Sequence, residues 1–354
     1  MSIVDENDRS ARAARTDGTT TGPAAAVPHA AAGATSPTGG RVRVRSALRR
    51  LGGPVIGLVL MIIALSLLSP YFLTSRNLSN ILSQSSDIGI MAAGAALVIL
   101  VGGIDLSVAA VLALTVMLSA WLYQVVGLPF PLALLAGLVA GGLVGAVNGI
   151  LATYGRVQPF VATLATMSAC LGLALVITNG NTLNGFPAWF DNLTSTAVAG
   201  VPLQAVVMIV IYVVLGLWLK FRPGGRALYA IGGNAEVARL SGLPVQRSKT
   251  MVYVIAGALA AVAGWVDIST LDSAQPTAGS NYLLNVIAVV VIGGASLSGG
   301  VASMGSTFVG LLIIGVLNNG LSLLHVNPNL QQVVIGAVIL LAVLSDRASI
   351  KLRA

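Results

Sequence analysis

Residues 91–121 read MAAGAALVILVGGIDLSVAAVLALTVMLSAW. Two apolar runs flank a short polar break that contains Gly102, Gly103 and Asp105. Together with their neighbours, the runs extend over about 80–101 and 106–126, and each is close to the roughly 20 residues that a helix needs to cross a bilayer core. The stretch therefore predicts two membrane-spanning helices joined by a tight turn.

The same apolar character continues along most of the chain. Of its 354 residues, 8% are charged, against roughly 25% in a typical soluble domain, and 56% are hydrophobic. A soluble protein of this length could not cover its surface with so few charges. The composition excludes a soluble fold and predicts an all-α protein, a polytopic transmembrane helical bundle.

We identify about ten spans after residue 51, of which the eighth is too short to cross alone as a straight helix. Their approximate ranges are 51–69, 80–101, 106–126, 131–153, 160–178, 201–219, 250–270, 283–295, 304–323 and 330–345. Cytoplasmic loops carry an excess of Lys and Arg. If the N-terminus is inside, ten spans return the C-terminus inside, and of the 19 basic residues only Arg76 falls outside. The sequence therefore predicts cytoplasmic N and C termini.

Residues 1–50 differ from the rest because they are rich in Ala, Thr, Gly, Pro and Arg. Such a segment cannot bury a core, so we expect a disordered basic cytoplasmic tail ahead of a transmembrane domain over 51–354. Its arginines fit a topogenic signal, and they can also contact anionic membrane lipid. The net charge of +8 has the same explanation, so we expect no nucleic-acid partner. With one cysteine, Cys170, and two histidines far apart, no Cys/His metal cluster is expected.

One cytoplasmic loop, about 220–249, contains helix-breaking glycine clusters and then a compact helical stretch. Asn234 is a plausible N-cap, Glu236 falls in the first turn, and Gly242 is a plausible C-terminal cap. A short capped helix on such a loop can dock into a groove of a soluble partner. An ordinary solvated loop is the alternative.

The loop sequence GRALYAIGGNAEVARLSGLPV, residues 225–245, closely resembles the cytoplasmic loop of ribose-type sugar permeases of the ABC transporter superfamily. Three further stretches, 77–114, 148–180 and 284–347, resemble the same family in the same order. The resemblance covers roughly residues 70–347. It departs from the family pattern at Ala235, Val237, Asn285 and Val301, which leaves pairing with a different permease chain open.

The resemblance implies the membrane-spanning permease subunit of a bacterial importer in the cytoplasmic membrane. Its implied partners are a separate ABC ATPase, a second permease chain and an extracytoplasmic solute-binding protein that delivers a monosaccharide or similar small polar solute. The permease itself would be no enzyme and would need no cofactor, because ATP is bound by the ATPase; the chain contains no GxxxxGK[ST] phosphate loop. The residues that would couple to the ATPase are Asn234, Glu236, Ala238, Arg239, Leu240, Ser241 and Gly242.

Polar side chains inside the predicted spans are costly, which makes them candidates for the translocation path. The candidates are Gln84, Asp87, Asp105, Asn148, Trp265, Asp267 and Asn319. Gln84 and Asp87 are three residues apart and would share one helical face. Asp105 is favoured as the N-cap of the third span. Buried amides pair between helices as often as they bind ligands, and most tryptophans mark the membrane interface.

Two alternatives to an ATP-driven importer remain in view. An ion-gradient-driven secondary transporter of a small polar solute would need carboxylates at mid-membrane, such as Asp87 and Asp105. An intramembrane hydrolase would need Ser296 to meet His325, which the predicted topology places on opposite sides. A short internal echo, GGIDLS at 102–107 and GGASLS at 293–298, fits the internal repeats of many transporters.

Overall fold

The computed structural model describes the backbone of residues 39–190, 196–198 and 200–351, and the side chains of these residues between 53 and 341. The described part is mostly helical. Its helices are α1 (Gly39–Leu68), α2 (Ser75–Gln84), α3 (Ser86–Leu100), α4 (Val108–Gln124), α5 (Phe130–Thr153), α6 (Pro159–Ile177), α7 (Leu203–Phe221), α8 (Pro223–Gly233), α9 (Ala235–Leu240), α10 (Val245–Leu271), α11 (Tyr282–Ile292), α12 (Met304–Leu323) and α13 (Pro328–Lys351). Two short antiparallel ribbons join β1 (Leu183–Asn184) to β4 (Ser273–Ala274) and β2 (Ala197–Val198) to β3 (Val201–Pro202).

Among the described residues, five helices are long and apolar enough to cross a membrane, namely α5, α6, α7, α10 and α12. A sixth span is added if α2 and α3, which are bent by 46° at Ser85, are counted as one. The remaining apolar helices are shorter, and α11, with 11 residues, is only about 16 Å long. The helical membrane bundle is confirmed, while the number of ten spans and the sidedness of the termini stay predictions.

The segment expected to be a disordered tail, 1–50, lies outside the described residues up to residue 38. α1 begins at Gly39, within that segment, so the backbone of its last residues is helical. The bundle belongs to the compact unit that starts at residue 44.

α3 is the centre of the bundle because all of its residues are buried. It packs against α7, α10, α11 and α12. Beside it, α10 packs closely on α5 through glycines that let the two backbones touch. A Cβ on Gly257 would overlap the carbonyl group of Gly141, and one on Gly145 would overlap that of Tyr253. Close approach of small residues is how helices associate in lipid, where the hydrophobic effect between helices is absent.

The bundle has two distinct ends. At one end, the loop after α3, the end of α8 and the loop after α11 meet. At the other end, β1 pairs with β4, and an aromatic cluster of Tyr123, Phe130, Phe186, Trp189 and Phe190 covers the ends of α4 and α5. The polar groups of the candidate site lie at or between these two ends.

Candidate docking helix and solute path

The helix predicted between Asn234 and Gly242 is present as α9, and its caps are those expected. The side-chain oxygen of Asn234 accepts hydrogen bonds from the backbone N–H groups of Glu236 and Val237, both at 3.0 Å. Gly242 follows with φ of +80°, the left-handed conformation that favours glycine, and its N–H donates to the carbonyl oxygen of Arg239 at 3.0 Å. Local signals alone therefore define this helix.

The exposed face of α9 combines an ion pair with apolar side chains. Arg239 donates two hydrogen bonds to the Glu236 carboxylate, at 2.5 and 3.1 Å, and both side chains are mostly exposed. The charge and hydrogen bonds of Arg239 lower the pKa of the Glu236 carboxyl below its ordinary value. Val237 and Leu240 are 57% and 73% exposed. α9 therefore presents two apolar side chains to solvent beside an ion pair.

One residue expected to face a partner does not. Ala238 is only 4% exposed and belongs to the core of the bundle. On a helix of this length, the positions that follow Asn234 cannot all point outward, so the inward face takes Ala238 and the outward face takes Leu240. The surface that α9 presents is therefore narrower than the sequence predicts.

α9 is attached to the rest of the bundle through a contact that we call the glycine junction, formed by Gly102, Gly232, Gly299 and Gly300. A Cβ on Gly232 would overlap the carbonyl oxygen of Leu100 and the backbone nitrogen of Gly300, so only a glycine fits there. A Cβ on Gly299 would lie 2.9 Å from the carbonyl oxygen of Gly232 and 3.0 Å from the Cα of Gly102, and its φ of +86° also favours glycine. The N–H of Gly300 donates to the carbonyl oxygen of Leu100 at 2.8 Å. Three chain segments thus meet backbone to backbone.

The two segments of the internal echo, 102–107 and 293–298, meet beside this junction, where the carbonyl oxygen of Ser298 lies 3.8 Å from a Cβ built on Gly102. Tyr229, in α8, adds a hydrogen bond from its hydroxyl to the carbonyl oxygen of Ala302 at 3.1 Å. Gly102 of the first segment and Ser298 of the second therefore lie side by side.

Two of the predicted path residues, Asp87 and Asp267, lie close to one hydroxyl group. Tyr282 donates a hydrogen bond to Asp267 at 3.4 Å, and its hydroxyl also lies near the Asp87 carboxyl group. Both carboxyl groups are buried, with 9% and 4% of each residue exposed. The second carboxyl oxygen of Asp267 has no hydrogen-bond partner in the described part of the chain. Tyr282 of α11 therefore bonds α10 and lies beside the buried carboxyl group of α3.

Replacing Tyr282 by phenylalanine is expected to lower the free energy of unfolding by about 0.6–1.7 kcal/mol, the range found for hydrogen bonds inside membranes. Denaturant titration of the purified protein in detergent micelles measures this loss. Tyr212→Phe is the matched control, because the Tyr212 hydroxyl is buried without a hydrogen-bond partner among the described residues. Equal stability of the two variants would contradict the bridging role of Tyr282.

Asp105 and Asn148 belong to a second network. The Asp105 carboxylate accepts hydrogen bonds from the N–H and hydroxyl groups of Ser107, at 2.8 and 2.6 Å. Asn148 donates to the Ser107 hydroxyl at 2.8 Å and accepts from Thr166 at 2.6 Å. Asp105 is therefore not the predicted N-cap: Ser107 occupies that position, and Asp105 fixes the turn before α4. The network ties α4, α5 and α6 together.

Asn319 and Trp265 belong to neither of these two groups. Asn319 exchanges two hydrogen bonds of 2.9 Å with Asn77, so its amide is fully engaged between α12 and α2. Trp265 is one turn beyond Ala261, which faces Gly141 of α5, and therefore lies on a different face of α10 from Asp267. Trp265 and Asp267 thus do not form one site.

Gln84 and Asp87 do not share a face, contrary to the sequence prediction, because the chain bends by 46° between them. Asp87 turns toward Tyr282, while Gln84 is exposed and lines a cavity of about 120 Å³ at the bend. The opposite wall is α12, including Asn318. The sequence predicts Asn319 as a path residue, but not its neighbour Asn318. Tyr282 and Asn77 are not predicted either, because their partners are distant in the chain.

Comparison with known proteins gives a consistent result. Residues 77–343 match the family model described as the permease component of branched-chain amino acid transport systems. The chain is 46% identical over 309 residues to the ribose import permease protein RbsC of Bacillus subtilis (strain 168), a match that covers 87% of this chain and 95% of the relative. It is 39% identical over 281 residues to the D-allose transport system permease protein AlsC of Escherichia coli (strain K12), covering 79% and 86%.

A third relative, the L-arabinose ABC transporter permease protein AraH of Azospirillum brasilense, is 35% identical over 314 residues and is matched over 92% of its length, with 89% of this chain covered. No solved structure matches the chain. The family match and the relatives cover almost all of the described bundle. The chain therefore belongs to this family of membrane permease components, multi-pass proteins of the bacterial cytoplasmic membrane.

Proposed function

We propose that the chain is the permease subunit of an ATP-driven ABC importer for a monosaccharide or similar small polar solute. The names of the relatives support this function, since they are permeases for ribose, allose and arabinose. The observation within the structure that carries it is α9, a capped helix that exposes Leu240 at one end of the bundle. A transport subunit whose ATP is bound by another chain needs such a surface, because the ATPase must contact it in order to move it.

Ten spans with both termini in the cytoplasm remain our proposal for the topology. This order puts the loops near Gly102, Gly232 and Gly299 inside, and their contacts at one end of the bundle support it. It puts the segments of β1 and β4 outside, and their pairing at the other end supports it as well. The arginines of the loop that carries α9 then lie on the cytoplasmic side, as the distribution of basic residues predicts.

The proposed partners follow from this orientation. An ABC ATPase would bind at α9, an extracytoplasmic binding protein would deliver solute at the opposite end, and a second permease chain would complete the path. The exposed apolar faces of the spanning helices would contact lipid or that second chain. Since Asn285 and Val301 differ from the usual family residues, the second chain is either a copy of this one or a different permease.

In the proposed mechanism, closure of the ATPase dimer displaces α9, and the glycine junction transmits that displacement to α3. α3 has 15 residues and is about 22 Å long, so it connects the junction at Leu100 with Asp87 and the bend at its other end. The permease needs no catalytic residue for this role.

The alternatives receive less support. A secondary transporter driven by an ion gradient disagrees with the ABC assignment of relatives that match over most of their length; uptake abolished by an uncoupler while ATP stays high would favour it. A hydrolase based on Ser296 and His325 is not supported, because these residues flank opposite ends of α12, whose 20 residues are about 30 Å long.

The test is affinity purification of the tagged chain from cells that express it, with mass spectrometry for subunits that carry a phosphate-loop motif. We expect an ABC ATPase to copurify and Leu240→Asp to reduce its recovery about tenfold or more. Burial of a leucine side chain stabilises a contact by about 1.5–3 kcal/mol, and about 1.4 kcal/mol corresponds to a factor of ten.

Leu330→Asp is the matched control for this experiment. Leu330 is also an exposed leucine, at 57%, but it lies beyond the end of α12 that is remote from α9. Absence of any ATPase, or equal recovery with both variants, would refute the docking role of α9.

A further inference from the structure

The cavity at the bend between α2 and α3 is closed on its far side by α12 and carries polar groups on both walls. Its volume of about 120 Å³ is several times the roughly 10–15 Å³ that one water needs. The lining residues are Gln84, Ser85 and Ile88 at the bend, and Leu311, Ile314, Gly315 and Asn318 on α12.

Two carboxamides of this cavity are free. Over the part of the chain that the structure describes, neither the Gln84 nor the Asn318 side chain has a hydrogen-bond partner. Two buried amides of the bundle are engaged at both polar atoms: Asn148 bonds Ser107 and Thr166, and Asn319 pairs with its neighbour on α2. A free amide in a membrane-embedded bundle therefore marks this cavity as a place where polar ligands are received.

Contact with lipid does not explain these residues. An amide without a hydrogen-bond partner in an apolar medium costs several kcal/mol, and lipid acyl chains have no group that can form a hydrogen bond with it. Gln84 is nevertheless exposed and Asn318 partly exposed, on adjacent elements facing the same space. This face of the bundle therefore meets water, a polar solute or polar groups of the second permease chain, and access to a water-soluble reagent distinguishes these cases.

The lining also restricts the class of solute. It contains amides and the hydroxyl of Ser85 but no charged side chain. The nearest carboxylate, Asp87, is buried toward Tyr282 instead. Carboxamides both donate and accept hydrogen bonds, as the hydroxyl groups of a polyol do. A free amino acid would bring two charges for which the cavity offers no partner.

We propose that Gln84, Ser85 and Asn318 form a binding site for the hydroxyl groups of an uncharged polyhydroxylated solute at the break between α2 and α3. The inference rests on the proposed transport function and names the atoms that receive the solute. Discontinuous helices are where transporters commonly place such sites, since the break frees polar groups at membrane depth.

The test uses the full chain in nanodiscs, with Cys170→Ser as background so that no other thiol reacts. In this background, Gln84→Cys and Asn318→Cys are treated with a water-soluble methanethiosulfonate reagent. We expect both to react about tenfold or more faster than Leu143→Cys, because the reactive thiolate forms where water reaches the side chain. Leu143 is the control because it is exposed on α5, away from the cavity.

D-ribose, D-allose and L-leucine are then added as competing solutes. We expect the two sugars to slow the reaction of Asn318→Cys and Gln84→Cys, and L-leucine to leave it unchanged. If Gln84→Cys and Asn318→Cys react as slowly as Leu143→Cys, water does not reach the cavity and the proposal is wrong. Absence of protection by the sugars, or equal protection by L-leucine, would overturn a site for uncharged polyols. The experiment contains no ATPase, so its failure is distinct from failure of the docking role of α9.

Discussion

Replacing Gly232 by alanine is expected to stop transport and to lower the free energy of unfolding by about 1–3 kcal/mol, the usual cost of overpacking. The added Cβ would overlap the carbonyl oxygen of Leu100 and the backbone nitrogen of Gly300. Because both neighbours are backbone atoms, no side chain can rotate away, and the segments themselves must separate. The hydrogen bond between Gly300 and Leu100 lies in the same contact and would be lengthened.

The effect on transport follows from the place of the junction in the chain. Gly232 lies three residues before the start of α9, and Leu100 is the last residue of α3. Once these segments separate, displacement of α9 no longer moves α3 as a unit. Uptake of radiolabelled solute by cells that carry the complete transporter, together with denaturant titration of the purified chain, measures both consequences.

Gly233→Ala is the matched control, since it makes the same chemical change one residue later. A Cβ on Gly233 would meet no atom within 4 Å. Gly233 ends α8, where alanine is favoured over glycine by up to about 1 kcal/mol, so this variant should be as stable as the parent or slightly more stable. Transport at the parental rate by Gly232→Ala, or the same loss in both variants, would show that the junction does not couple α9 to the bundle.

Local sequence signals account for what could be predicted. The predicted spans follow from apolar runs of sufficient length, and α9 follows from Asn234 and Gly242, whose capping geometry depends only on residues a few positions away. The bend at Ser85 has no such signal, because neither glycine nor proline marks it. The expected common face of Gln84 and Asp87 was therefore wrong. Gln84 lines the cavity at the bend, whereas Asp87 lies toward Tyr282.

Contacts between distant segments set the remaining features. Asn77 and Asn319 are 242 residues apart, and Tyr282 reaches two carboxylates on two other helices. A polar residue in an apolar run shows that some partner is required, but the run itself does not identify the partner. The same limit applies to Asn318 and Asn319, which are adjacent in the sequence. A helix turns by about 100° per residue, so their side chains face different surroundings.

A large loss of stability is expected for Asn319→Leu. The change removes both 2.9 Å hydrogen bonds to Asn77 and leaves the carbonyl oxygen of the Asn77 amide unpaired in a buried position. An unsatisfied buried polar group costs about 1–3 kcal/mol, so the free energy of unfolding should fall by that amount. Denaturant titration in detergent micelles measures it, and weaker attachment of α2 to α12 is its structural counterpart.

Asn318→Leu is the control because it makes the identical replacement at the neighbouring position. Its amide has no hydrogen-bond partner among the described residues, so the stability should change by less than about 0.5 kcal/mol. The double variant Asn77→Leu with Asn319→Leu should be more stable than the sum of the single losses implies, since no amide is then left unpaired. Additive losses, or equal losses for Asn318→Leu and Asn319→Leu, would show that the pair does not hold α2 against α12.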